Sequence, residues 1–98
     1  MMNERIDYKV KVAVIVRALR NAFAINQGEL SKASNCARPT IHRLEKISPQ
    51  SPRSNTLDDI FNVFRDRGVE LTINDSEVTI RFTKQALLNI QNDSDISK

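Results

Sequence analysis

Between residues 38 and 43 the run Arg-Pro-Thr-Ile-His-Arg sets two guanidinium groups, a hydroxyl and an imidazole around a proline. A guanidinium is a rigid planar fork of donors, matched to paired acceptors such as guanine O6 and N7 or two phosphate oxygens. Lys46 and Arg53 add cations downstream, and Gln27 adds an amide upstream. Nothing comparable supports bond-breaking chemistry. The chain has one cysteine and one histidine, so it builds no disulfide framework, and it falls short of the roughly four ligands of a structural zinc site. A nucleophilic thiol needs a base beside it, whereas the one histidine, His42, belongs to an outward face. The expectation is a binding protein with no catalytic residues, no metal and no cofactor, rather than an enzyme.

Charge distribution points the same way. The net charge of +3 over 98 residues is small. It is also uneven. Residues 17–53 carry seven basic side chains (Arg17, Arg20, Lys32, Arg38, Arg43, Lys46, Arg53) against Glu29 and Glu45, whereas residues 54–98 carry five basic and eight acidic ones. A basic middle with an acidic end suits a polyanion-binding face. The length allows one modest core. No apolar run is long enough for a membrane span, and the start, MMNERIDYK, lacks a signal-peptide layout, so a cytoplasmic protein is expected.

These side chains need elements to hold them. Val12, Ile15, Val16, Leu19, Ala22 and Phe23 recur at helical spacing and predict a helix from about Tyr8 to Ala24, with Asp7 as N-cap. The alternation of Ile6, Tyr8, Val10 and Val12 leaves a strand over 5–11 as an alternative. Asn26 and Glu29 have the spacing of a capping box, opening a short helix with Leu30 and Ala33 inward that ends near Asn35. Pro39 marks the first turn of the next helix, with Ile41 and Leu44 inward. Residues 48–55, SPQSPRSN, read as a loop. Thr56 and Asp59 predict the start of a fourth helix, with Leu57, Ile60, Phe61 and Phe64 buried and Gly68 as its stop. The period then falls to two: Val69, Leu71 and Ile73, the turn Asn74-Asp75-Ser76, then Val78, Ile80 and Phe82 predict a hairpin. Thr83 would cap a last short helix with Ala86, Leu87 and Ile90 on one face, and residues 92–98 read as a flexible polar tail. A lone hairpin is marginal, so that helix or a second copy of the chain must cover it.

Two short helices joined by a tight turn, the second opening with Arg38-Pro39, have the layout of a helix-turn-helix. The segment from Arg17 to Glu45, RALRNAFAINQGELSKASNCARPTIHRLE, resembles the Cro/phage-repressor (XRE-type) family. The resemblance is carried by Leu19-Arg20, Gln27-Gly28-Glu29-Leu30, Asn35 and Cys36 at the turn, Pro39-Thr40-Ile41 and Leu44-Glu45, and it continues loosely through Thr56 to Val69. Two departures stand out. Asn35 replaces the turn glycine, and Ala37 replaces the usual Ser or Thr cap, weakening that helix end by about 1 kcal/mol.

The resemblance implies a mostly α fold: a lambda-repressor-like bundle of four helices in a DNA-binding domain (1–68), here followed by the hairpin and short helix (69–91). It implies that Gln27 donates to a phosphate, that Arg38, Pro39 and Arg43 face the major groove, and that Arg20 and Glu45 form a salt bridge. Thr40 suits a thymine methyl or a phosphate. His42, Lys46, Arg53 and Ser54 suit phosphate contacts. Val69, Leu71, Ile73, Val78, Ile80, Phe82 and Leu87 are the expected dimerisation residues. The expected function is a homodimeric, sequence-specific transcriptional regulator, a repressor reading a palindromic operator in double-stranded DNA. The alternatives are an antitoxin-like subunit that also binds a toxin-like protein partner, and a protein-interaction module without DNA binding.

Overall fold

The computed structural model describes residues 5–96, with side chains through Asp93. Five helices and one hairpin follow in the order α1 (Tyr8–Ala22), α2 (Gln27–Ser34), α3 (Arg38–Glu45), α4 (Ser54–Arg65), β1 (Val69–Ile73), β2 (Val78–Phe82) and α5 (Lys84–Ile96). The chain is mostly helical.

Helix α1 begins where Asp7 caps it, accepting from the Lys9 amide at 2.9 Å. The strand alternative fails from Tyr8 onward because the helical stripe wins: Val12, Ile15, Val16 and Leu19 are almost wholly buried, an inward face that a strand could not assemble. The capping box at α2 is complete, with the Glu29 amide donating to Asn26 Oδ1 at 2.7 Å and the Asn26 amide to Glu29 Oε1 at 2.8 Å. Asn35 ends this helix at φ 58°, in the left-handed region that a turn glycine would otherwise fill. The inward partner of Leu30 is Ser34, not Ala33. Ser34 is buried because its hydroxyl donates to the Leu30 carbonyl at 2.7 Å, while Ala33 is exposed.

Helix α4 starts at Ser54, two residues before Thr56, and no side chain caps it. The expected capping pair of Thr56 and Asp59 is therefore corrected: both lie inside the helix. Leu57, Ile60, Phe61 and Phe64 form its buried face. Gly68 follows at φ 96°, and a Cβ there would lie 2.7 Å from the Ala86 amide nitrogen, so both the bend and the space demand glycine.

The hairpin pairs Val69 with Phe82, Leu71 with Ile80 and Ile73 with Val78. Its apolar face is covered within the chain. Val69 belongs to the main core, and Leu71, Ile73, Val78, Ile80 and Phe82 pack half-buried against it. The Phe82 ring lies 6.4 Å from that of Phe23, and the buried Lys11 donates from Nζ to the Asn74 carbonyl at 2.7 Å. Of the two covers expected, a last helix or a second copy, the chain thus supplies at least a partial one of its own; of the seven expected dimerisation residues Val69 is buried, Leu71, Ile73, Val78, Ile80 and Phe82 are half-buried and Leu87 is exposed. Thr83 caps α5, its Oγ1 accepting from the Ala86 amide at 3.3 Å. The helix then runs to Ile96, so residues 92–96 are helical where a flexible tail was expected, and residues 97–98 of that tail lie outside the described ones.

Candidate nucleic-acid interface

Helix α3 is held by its inner residues and offers the rest. Ile41 is fully buried and Leu44 nearly so, seated against α1 and α2. This leaves Arg38, Pro39, His42, Arg43 and the following Lys46 exposed on one basic surface. Pro39 sits in the first turn, where its missing N–H has no intrahelical acceptor. Ala37 has the extended backbone of an N-cap but makes no side-chain cap. Arg43 leans on its own helix, Nη2 donating to Thr40 Oγ1 at 3.4 Å, so Thr40 is half-buried beneath it.

Glu45 anchors the far end. Its carboxylate takes a fork from Arg20, Nε to Oε2 at 2.7 Å and Nη2 to Oε1 at 3.0 Å, and a further bond from Gln27 Nε2 at 3.3 Å. Arg17 donates to the Glu45 backbone carbonyl. Burial pushes the Glu45 carboxyl up, but the hydrogen bonds from Arg20 and Gln27 and the charges of Arg20 and Arg17 outweigh it, holding the group below its ordinary value. Glu45 in turn raises Arg20, against the opposing pull of burial. Four side chains from α1, α2 and α3 thus meet at one point. Gln27, expected at a phosphate, spends one N–H on this cluster.

Beyond α3, residues 47–53 bend back toward α1 and α4. Ile47 terminates the helix at φ 59°, and the Ser48 amide donates to the Arg43 carbonyl at 3.2 Å. Between this loop, α3 and the start of α4 lies an open cleft of roughly 430 Å³ whose lining includes Lys9, Arg43 and Arg53 around Leu44, Ile47 and Pro52. Arg53 and Ser54 are exposed at the uncapped beginning of α4, where the first amides point outward. The fold therefore brings Arg38, Arg43, Lys46, Arg53 and Ser54 to adjoining surfaces.

Two contributors escaped the sequence reading. Arg17 sits one helical turn before Arg20 on α1, and that spacing is the signal that both reach the end of α3. Lys9 lines the cleft and donates from Nζ to the Pro49 carbonyl at 3.0 Å, a contact across 40 positions that no local pattern encodes. Among the described residues, no cluster of three or more His, Cys, Asp or Glu could hold a metal, and no helix is long and apolar enough to cross a membrane. Cys36 is half-buried, its thiol 3.6 Å from the Ser34 carbonyl.

No protein-family profile matches the chain, and no curated protein is similar enough to count as a relative.

Proposed function

We propose that this chain is a sequence-specific DNA-binding regulator of the helix-turn-helix kind, acting as a repressor on a palindromic site. The observation that carries the reading is the division of labour on α3. Ile41, Leu44 and Glu45 fasten it, while Arg38, Pro39, His42 and Arg43 are exposed together at its outer side. A helix so presented fits the major groove, with its early residues at base edges. Arg38 and Arg43 read bases in this scheme. Lys46, Arg53, Ser54 and the first amides of α4 hold the backbone, as does the remaining N–H of Gln27.

The test is a comparison of Arg43→Ala with Lys46→Ala on duplexes selected from a random library. Arg43→Ala is expected to relax preference at one base position by about 1–3 kcal/mol. Lys46→Ala is expected to weaken all sequences alike and to reduce the steepness of log K against log [salt] by about 0.9. A flat salt response of the unaltered chain overturns DNA binding. Uniform loss from both variants overturns the base-reading role of Arg43.

A further inference from the structure

The cleft between α3, the 47–53 loop and the start of α4 has an apolar floor that DNA phosphates do not call for. Its roughly 430 Å³ falls within the ~300–1,000 Å³ of small-molecule sites. Lys9, Arg43 and Arg53 stand around it, and none of its lining residues is acidic. Among the described residues, neither Arg43 nor Arg53 is paired with a carboxylate. The Lys9 Nζ lies 3.8 Å from Asp7 Oδ2, and its bond to the Pro49 carbonyl holds the ammonium beside the loop. The apolar part is Leu44, Ile47 and Pro52. Ile47 has φ 59°, a left-handed backbone that a branched Cβ disfavours, and it is 39% exposed. A helix stop asks for glycine or asparagine at such a position. A phosphate backbone asks for cations and N–H donors. Neither calls for an exposed branched hydrophobe, whereas ligand sites combine apolar lining with a few convergent polar groups, and backbone strain gathers at them.

We propose that this cleft binds a small organic anion, a carboxylate with an apolar body, and that its occupancy weakens the hold on DNA. The carboxylate meets Arg43 and Arg53, with Lys9 adding to the positive field, and the body lies on Ile47, Leu44 and Pro52. Guanidinium forks suit a carboxylate as well as they suit a base edge or a phosphate. The second half of the proposal rests on the DNA-binding reading, which sets Arg43 against a base and Arg53 against the backbone. Ligand and duplex then contend for the same two guanidinium groups. Linkage makes the effect reciprocal, so duplex weakens the ligand by the factor by which the ligand weakens duplex.

Titration calorimetry of the full 98-residue chain with naphthoate separates the two features of the site. Naphthamide keeps the body without the charge, and acetate keeps the charge without the body. Naphthoate is expected to bind with a Kd between roughly 10 µM and 1 mM, at least about tenfold more tightly than either. Ile47→Asn puts a side chain that accepts the left-handed backbone in place of the apolar one. It is expected to raise the naphthoate Kd about tenfold and to leave duplex affinity within about twofold. Lys9→Gln keeps a donor for the Pro49 carbonyl while removing the charge, and is expected to raise the naphthoate Kd about three- to tenfold. Lys32→Gln, at an exposed cation of α2 outside the cleft lining, is expected to leave it unchanged. Saturating naphthoate is expected to raise the duplex Kd about tenfold over acetate at equal ionic strength. No naphthoate binding up to about 10 mM overturns the site. So does equal binding of naphthamide, or a naphthoate Kd unaltered in both Ile47→Asn and Lys9→Gln. Equal duplex affinity in naphthoate and acetate overturns the coupling. A chain that binds naphthoate in the expected pattern but has no affinity for duplex keeps the site and overturns the DNA-binding reading. Steeply salt-dependent duplex binding without naphthoate binding does the reverse.

Discussion

At the scale of single residues, Glu45 joins three helices through one carboxylate. It is 8% exposed. Because its folded pKa lies below that of the unfolded chain, its contribution to stability is fully present above the ordinary carboxylate range and is lost as pH falls through the folded value. Glu45→Gln removes the charged acceptor and is expected to cost about 2 kcal/mol at neutral pH. Thermal unfolding should show that gap narrowing as pH falls below the ordinary carboxylate range and the native carboxyl, held below that range, itself becomes protonated. A gap independent of pH would mean that packing, not the ion pair, carries the effect. The pairing with Arg20 was foreseeable from family resemblance. The added bonds from Arg17 and Gln27 were not, since they depend on how the three helices converge.

At the scale of elements, the helix ends legible in the sequence are those closed by a residue of their own. Asp7, Asn26 with Glu29, and Thr83 bond within three residues of themselves, and Asn35 and Pro39 act through their own backbone conformation, so spacing and residue type reveal them. Helix α4 begins two residues before the expected pair of Thr56 and Asp59 because its start owes nothing to a cap. The apolar face of Leu57, Ile60, Phe61 and Phe64 drives it, and the helix extends backward to Ser54 without one. Helix α3 carries the same deficit. Ala37 already has the N-cap conformation, φ −64° and ψ 138°, and lacks only the acceptor. Ala37→Ser is therefore expected to stabilise the protein by about 1 kcal/mol in denaturant unfolding, with an unchanged m-value. No gain would mean that the first amides of α3 are already well solvated.

For the whole molecule, Gly68 is the joint that fastens the C-terminal part to the helices. It separates α4 from β1, its carbonyl accepts from Thr83 Oγ1 at 2.5 Å, and the backbone of α5 passes against its Cα. Gly68→Ala meets both a left-handed backbone and a collision with the Ala86 amide, which no side-chain rotation relieves. The expected cost is about 3 kcal/mol, measurable as a Tm fall of roughly 12–24 °C for a chain of this size. If the hairpin and α5 were an appendage, unfolding of Gly68→Ala would split into two transitions. Their share of one core, through Val69, Ala86 and the Phe23–Phe82 contact, predicts a single one.

The order of helices and hairpin, the caps, and the basic surface of α3 were set by the sequence alone, because each depends on residues within a turn or two of one another. The tertiary structure alone decided what covers the hairpin, where Lys9, Lys11 and Arg17 reach, and that Glu45 gathers α1, α2 and α3. Those contacts join positions 18 to 63 residues apart, and a pattern of period two or 3.6 holds no information about which distant face a side chain will meet.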